Sequence, residues 1–115
     1  MQFCSRFDLA PHPQTADLAS SLVDDYHKLP VERVREEWVK WALKSVKPSR
    51  GMEFLLATGW LQHFGHLNNL VGTIQDPTWH PARDAFVHSV LAADVMRDVL
   101  TRDGVEDTDK QIYLM

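Results

Sequence analysis

Three residues of this sequence have types and a spacing that could hold a metal ion: His80, Asp84 and His88 follow one another at intervals of four. Residues four apart lie on one face of an α-helix, and imidazole and carboxylate groups are ligands for cations such as zinc. Such a trio spans about 12 Å of helix axis, so one ion could contact two of them but not all three. We therefore expect no functional metal and no cofactor, with His80 as a loop or capping residue and His88 as a packed or hydrogen-bonded side chain.

A basic segment, residues 31–50 ("VERVREEWVKWALKSVKPSR"), is the second set of residues that could do chemistry. It carries a net charge of +3, six cations against three glutamates, in a chain whose net charge is −4. A solvated helix face with mixed charge has this composition, and so does a surface that follows phosphates. On the second interpretation the nucleic-acid-binding residues are Arg33, Arg35, Lys40, Lys44, Lys47 and Arg50.

The apolar residues recur at helical spacing, so we expect helices to position these groups. Apolar residues between positions 18 and 26 predict a helix that Thr15 caps and that runs to about Lys28. A second helix begins near Pro30, with a single apolar stripe formed by Val31, Val34, Trp38, Trp41, Ala42 and Val46. We expect both tryptophans of this stripe to pack in the core rather than to stack on bases.

The rest of the chain is also predicted to be helical. Ser49 is a candidate cap for a helix that ends at Gly59, Pro81 opens a long helix that stops at Gly104, and Thr108 begins one more. No alternating strand pattern and no internal repeat is visible. We therefore predict an all-α fold of about five to six helices in a single domain, residues 1–115.

Composition limits the class of protein. A chain of 115 residues has room for one domain, and no apolar run approaches the roughly 20 residues that a membrane helix needs. The first residues lack a charged start followed by a long apolar stretch, so no secretory signal is predicted. Cys4 is the only thiol. These features favour a cytoplasmic protein with no membrane partner.

Five segments follow one another in this chain: "SRFDLAPHPQT", "LPVERVREEW", "KPSRGMEFLLATGWLQHF", "LNNLVGTIQDPTWHP" and "DAFVHS". In this order and spacing they resemble the middle of a bacterial-type tRNA nucleotidyltransferase, the CCA-adding enzyme. The resemblance implies that residues 3–75 correspond to the helical neck and body that follow the catalytic head. It implies that residues 76–115 correspond to the start of a truncated HD domain.

The same resemblance implies that this chain is not an enzyme. The family's nucleotidyl transfer resides in a head with a Gly-Ser loop and two metal-binding aspartates, and the acidic residues at 106–109 have no such context. His88 matches the first histidine of the HD metal shell, yet the sequence contains no His-Asp dipeptide and Arg83 stands beside Asp84. Together with His80 they are vestigial metal candidates only.

Three functions remain open for such a chain. As a binding module, it would hold tRNA or another structured RNA on the basic helix 31–50. As a small phage or mobile-element regulator or inhibitor, it would bind a host protein or nucleoprotein complex through the acidic residues Asp98, Asp103, Glu106, Asp107 and Asp109. As the subunit of a split nucleotidyltransferase, it would dock to a separate catalytic head.

Apolar residues near both ends of the chain are candidates for a bared surface, where head and HD tail would pack in the family. They are Phe3, Phe7, Ile112, Tyr113 and Leu114. Exposed apolar patches favour association, so a homodimer is a further expectation.

Overall fold

The computed structural model describes residues 1–73 and 84–115, and both ranges consist of helices joined by turns, without a β-strand. The predicted all-α class is confirmed. The α-helices of these ranges are α1 (Gln2–Phe7), α2 (Pro13–Ser21), α3 (Val31–Lys44), α4 (Pro48–Thr58), α5 (Gly65–Asn68), α6 (Ala85–Arg102) and α7 (Thr108–Leu114). The seven α-helices exceed the five to six expected, and the difference comes from short helices such as α1 and the one-turn α5. No helix in the described ranges is both long and apolar enough to cross a bilayer.

The first predicted long helix is two shorter elements. Helix α2 begins at Pro13, where the His12 ring accepts a hydrogen bond from the Gln14 N–H, so Thr15 is not its cap. The helix ends at Ser21 because the Leu22 N–H bonds to the Ala19 carbonyl, an i to i−3 contact that tightens the last turn. A 3₁₀ segment, Val23–Lys28, continues the chain instead.

The basic segment is divided between two helices, as the new helix predicted near Ser49 requires, so residues 31–50 are not one basic helix. Helix α3 ends at Lys44, and Ser45 adopts an extended conformation. Lys47, not Ser49, is the residue that precedes α4, with Pro48 in its first turn. Proline disfavours a helical conformation at the residue before it and fits the first turn of a new helix, which explains the break.

The core lies between α3, α4 and α6. Its buried members are Trp41, Ala42, Met52, Leu55, Leu61, Phe86 and Val90, and Trp38 packs against them half-buried. The expected core position of Trp41 is confirmed. Val31 and Val46, at the ends of the predicted stripe, are 78% and 64% exposed because Val31 opens α3 and Val46 lies beyond its end.

A close contact between α1 and α4 is built around one buried serine. The Ser5 hydroxyl donates to the Pro48 carbonyl at 3.2 Å and accepts from the Gly51 N–H at 2.7 Å. The Ser5 carbonyl accepts the N–H groups of Val46 and Lys47, both at 2.9 Å. We call Ser5, Pro48 and Gly51 the Ser5 junction.

Only glycine fits at the α4 position of this junction. A Cβ at Gly51 would lie 2.5 Å from the Ser5 hydroxyl oxygen and 2.8 Å from a Met1 side-chain carbon. Both distances are shorter than real carbon contacts allow, so the missing side chain sets the approach of the two helices.

Helix α6 is fastened to the rest of the domain through two polar side chains. The Asp94 carboxylate accepts the Ser49 N–H in the first turn of α4 at 2.7 Å. The buried Arg97 guanidinium donates to the Ala42 carbonyl of α3 and to the Gln111 side chain of α7. Burial lowers the pKa of Arg97. These contacts fix the C-terminal helices against α3 and α4.

Candidate nucleic-acid interface

The six basic residues proposed from the sequence lie on α3, on α4 and on the link between them. Arg33, Lys40 and Lys44 stand at i, i+7 and i+11 on α3, which places them in one row along the helix. Arg35 lies two residues from Arg33 and therefore on another side of the same helix. Lys47 lies in the link to α4, beyond the row.

Arg50 is engaged within the protein. Its Nε donates to an Asp8 carboxylate oxygen at 2.8 Å, and its Nη1 lies 3.7 Å from Glu53. The hydrogen bond from Arg50 holds the pKa of Asp8 below its ordinary value, and the same contact raises the pKa of Arg50. Because its charge is compensated, Arg50 is a weaker candidate for phosphate binding than the α3 row.

A groove beside α3 brings four aromatic side chains together. The cavity has a volume of about 460 Å³, and its aromatic lining consists of Tyr26, Trp38, Trp60 and Phe64. Arg33 and Lys40 of the α3 row, with Glu36 and Glu37, form its polar part. We call this set of residues the aromatic groove.

The rings of the aromatic groove are held by one another and by the backbone. Tyr26 stacks on His63 with ring centroids 4.4 Å apart, and it meets Trp60 and Phe64 edge to face. The Trp60 indole N–H donates to the Ala19 carbonyl at 2.7 Å. The His63 Nε2 donates to the Val23 carbonyl at 2.6 Å, which fixes its tautomer. The 3₁₀ segment is thereby attached to the turn that follows α4.

Of the two carboxylates in the aromatic groove, Glu36 is exposed and Glu37 is half-buried. Its Oε1 accepts a long hydrogen bond, 3.4 Å, from the Gln2 side chain of α1. Its second oxygen has no hydrogen-bond partner among the described residues. Glu37 therefore keeps capacity to accept a further hydrogen bond inside the groove.

A second basic cleft lies at the other end of the α3 row. A cavity of about 490 Å³ there is lined by Lys44, Arg97 and Arg102 together with the acidic Asp98. The Arg97 Nε is buried without a hydrogen-bond partner in the described ranges. Lys44 thus adds to a local excess of positive charge.

The acidic residues predicted as a protein contact divide into two kinds. Asp103 lies 3.0 Å from the Arg102 guanidinium, and the Asp107 carboxylate caps α7 by accepting the Lys110 N–H at 2.9 Å. Asp98, Glu106 and Asp109 are exposed. Two of the five acids therefore already have partners within the chain.

The metal candidates do not form a binding cluster among the residues that the structure describes. Asp84 caps α6: one carboxylate oxygen accepts the Val87 N–H at 2.8 Å and the other accepts the Gly72 N–H at 3.1 Å. These bonds lower the pKa of Asp84. His88 is exposed one turn further along α6, and His80 lies outside the described residues. Within residues 1–73 and 84–115, no three His, Cys, Asp or Glu side chains meet in a metal-binding group.

The apolar residues proposed as a bared surface are exposed, as expected. The list comprises Phe3, Phe7, Ile112, Tyr113 and Leu114. Phe3 and Phe7 stack on one another with ring centroids 6.3 Å apart, so part of this surface is covered by its own members.

The fold and the site together define a small all-α domain with a basic row on α3 and an aromatic groove beside that helix. In comparison with known proteins, the chain is 33% identical over 102 residues to the Multifunctional CCA protein of Cupriavidus metallidurans. The match covers 85% of this chain and 24% of that protein, so the chain spans about a quarter of its relative's length. This similarity indicates a distant relationship to the tRNA nucleotidyltransferases that the five segments resemble. No family model and no solved structure matches the chain.

Proposed function

We propose that this chain is a non-catalytic RNA-binding domain, derived from a tRNA nucleotidyltransferase, that holds tRNA or a similarly structured RNA along α3. The observation that carries the proposal is the row formed by Arg33, Lys40 and Lys44. In the described ranges none of these three side chains forms an ion pair, whereas Arg50 and Arg102 do. A row of unpaired cations can contact successive phosphates of a nucleic acid. Each such contact releases a counterion from the nucleic acid, and this release favours binding.

The distant relationship to a CCA protein supports RNA as the ligand in preference to a protein. The competing idea, in which the C-terminal acids contact a basic host complex, has less in its favour. Two of those acids, Asp103 and Asp107, are engaged by Arg102 and by the start of α7. A non-catalytic role also agrees with the structural role of Asp84, whose carboxylate caps α6.

Charge reversal along the row tests the proposal. In the double variant Lys40→Glu and Lys44→Glu, we expect affinity for tRNA to fall at least about tenfold and the slope of log K against log salt to fall by about 2. A matched control reverses Arg35 and Lys110, two exposed cations that form no ion pair in the described ranges and lie outside the row and outside the groove lining. Fluorescence anisotropy of labelled tRNA at several salt concentrations measures both quantities. Equal losses in the two double variants would contradict the proposal, and so would wild-type protein that does not bind tRNA at low salt.

A further inference from the structure

The aromatic groove has the size and composition of a site for a small planar ligand. Its volume of about 460 Å³ lies within the range of roughly 300–1,000 Å³ typical of such sites. Apolar and aromatic side chains form most of the lining, and charged groups stand at one side of it. A planar heteroaromatic ring that stacks on aromatic side chains gains roughly 5- to 150-fold in affinity per ring.

The charged part of the lining consists of two cations, Arg33 and Lys40, and two carboxylates, Glu36 and Glu37, so it suits a ligand that carries an anionic group and hydrogen-bond donors as well as a ring. Arg33 and Lys40 both line the cavity and both belong to the unpaired row on α3. A nucleotide combines these properties, since its base stacks and its phosphate binds cations. Phosphates next to the base in an RNA strand would continue along the row toward Lys44.

The hydrogen-bond acceptors of Glu37 limit which base the groove can bind. A carboxylate only accepts hydrogen bonds, and one oxygen of Glu37, whose charge is attracted by the Met1 ammonium, accepts no hydrogen bond from the described part of the chain. The Watson–Crick edge of guanine presents two adjacent donors, the ring N1–H and the exocyclic amino group. Adenine and cytosine place an acceptor nitrogen beside their amino group, and uracil places acceptors on both sides of its N–H. Guanine is therefore the base whose edge matches a carboxylate.

We propose that the aromatic groove binds one unpaired guanine nucleotide of the RNA held on α3. The base stacks in the aromatic lining, its N1–H and amino groups donate to Glu37, and its phosphate lies beside Arg33 and Lys40. This inference rests on the proposed function, because it takes the guanine from the bound RNA.

The experiment compares three hairpin RNAs that differ at one unpaired loop position, which is guanosine, inosine or adenosine. Inosine lacks the amino donor, and adenosine presents an acceptor nitrogen where guanosine has the N1–H. With wild-type protein we expect the guanosine hairpin to bind at least about tenfold more tightly than the adenosine hairpin, with inosine between them. Glu37→Gln, which replaces the carboxylate by a group that both donates and accepts, is expected to remove this preference. Glu32→Gln, an exposed residue of α3 outside the groove lining, should retain it.

The outcomes separate this inference from the proposed function. Equal affinity of wild-type protein for the three hairpins, lost in the Lys40 and Lys44 double reversal, would overturn the guanine site and leave RNA binding on α3 in place. Absence of binding to any hairpin at low salt would overturn both. A titration with GMP alone identifies the remaining case: saturable binding that depends on Glu37 without RNA binding would reject the RNA source and the proposed function.

Discussion

The Ser5 junction and the aromatic groove both join distant parts of the chain, but they leave their polar groups in different states. At the junction, the Ser5 hydroxyl donates once and accepts once, and its carbonyl accepts two N–H groups. At the groove, one oxygen of Glu37 accepts no hydrogen bond from the described residues, although the Met1 ammonium attracts this carboxylate, and Arg33 and Lys40 form no ion pair there. Satisfied, buried polar groups hold a fold together, while unsatisfied groups beside a cavity are available to a ligand. We expect this difference to separate residues that determine stability from residues that would determine binding in the proposed function.

The comparison predicts its largest effect at Gly51. Gly51→Ala places a Cβ against the Ser5 hydroxyl and breaks the hydrogen bond between that oxygen and the Gly51 N–H. We expect the free energy of unfolding to fall by about 2–4 kcal/mol, from overpacking and from a buried donor left without a partner. Urea denaturation followed by circular dichroism measures it.

Gly65→Ala is the matched control for this prediction. A Cβ at Gly65 meets no atom within 4 Å, and the residue opens α5 with an ordinary backbone conformation. We expect its free energy of unfolding to stay level or to rise by about 0.5 kcal/mol. If both glycine variants lost the same stability, the close approach at the Ser5 junction would not be what holds α1 to α4.

A smaller effect, on affinity instead of stability, is expected at Arg33. Arg33→Ala removes an exposed cation of the groove, so the free energy of unfolding should change by less than about 0.5 kcal/mol. Affinity for tRNA should fall about three- to tenfold, and the salt slope by about 1. Arg35→Ala, an exposed arginine on another side of α3, should change the affinity much less. The comparison between junction and groove fails if Arg33→Ala destabilises the fold as Gly51→Ala does.

The two regions also differ in how far the sequence predicts them. Helical spacing predicted the all-α class and the burial of Trp41, because the apolar periodicity within each helix shows both that the segment is helical and which face is buried. It missed the aromatic groove, whose rings come from a 3₁₀ segment, from α3 and from the residues after α4. The dense aromatic stretch "GWLQHF" was the available signal. The end of α2 at Ser21 arises from turn geometry that apolar periodicity does not report, whereas the break between α3 and α4 was predicted with its cap at Ser49 in place of Lys47.

Asp84 shows the same distinction for a residue first considered as a metal ligand. Its carboxylate accepts the N–H groups of Val87 and Gly72, so it belongs with the satisfied polar groups that hold the fold together. The hydrogen bond from Val87, followed by that from Gly72, lowers the pKa of Asp84 below its ordinary value of 3.8. A carboxyl whose pKa is lower in the folded state stabilises the protein above its unfolded pKa, and that stabilisation is lost as the pH falls through the folded pKa.

The smallest predicted effect is therefore a dependence on pH. Asp84→Asn keeps one side-chain acceptor at the start of α6 but removes the charge that favours the positive end of the helix and one of the two oxygens that accept the N–H groups of Val87 and Gly72. At neutral pH we expect a lower melting temperature than that of the wild type, and we expect this difference to close as the pH falls below 3.8. Thermal unfolding between neutral pH and pH 3 measures it, with Asp98→Asn, an exposed residue on the same helix, as the control. A difference that stayed constant over this range would mean that the ionised carboxylate of Asp84 contributes nothing, and that the Asp84→Asn variant differs from the wild type only in how its side chain packs.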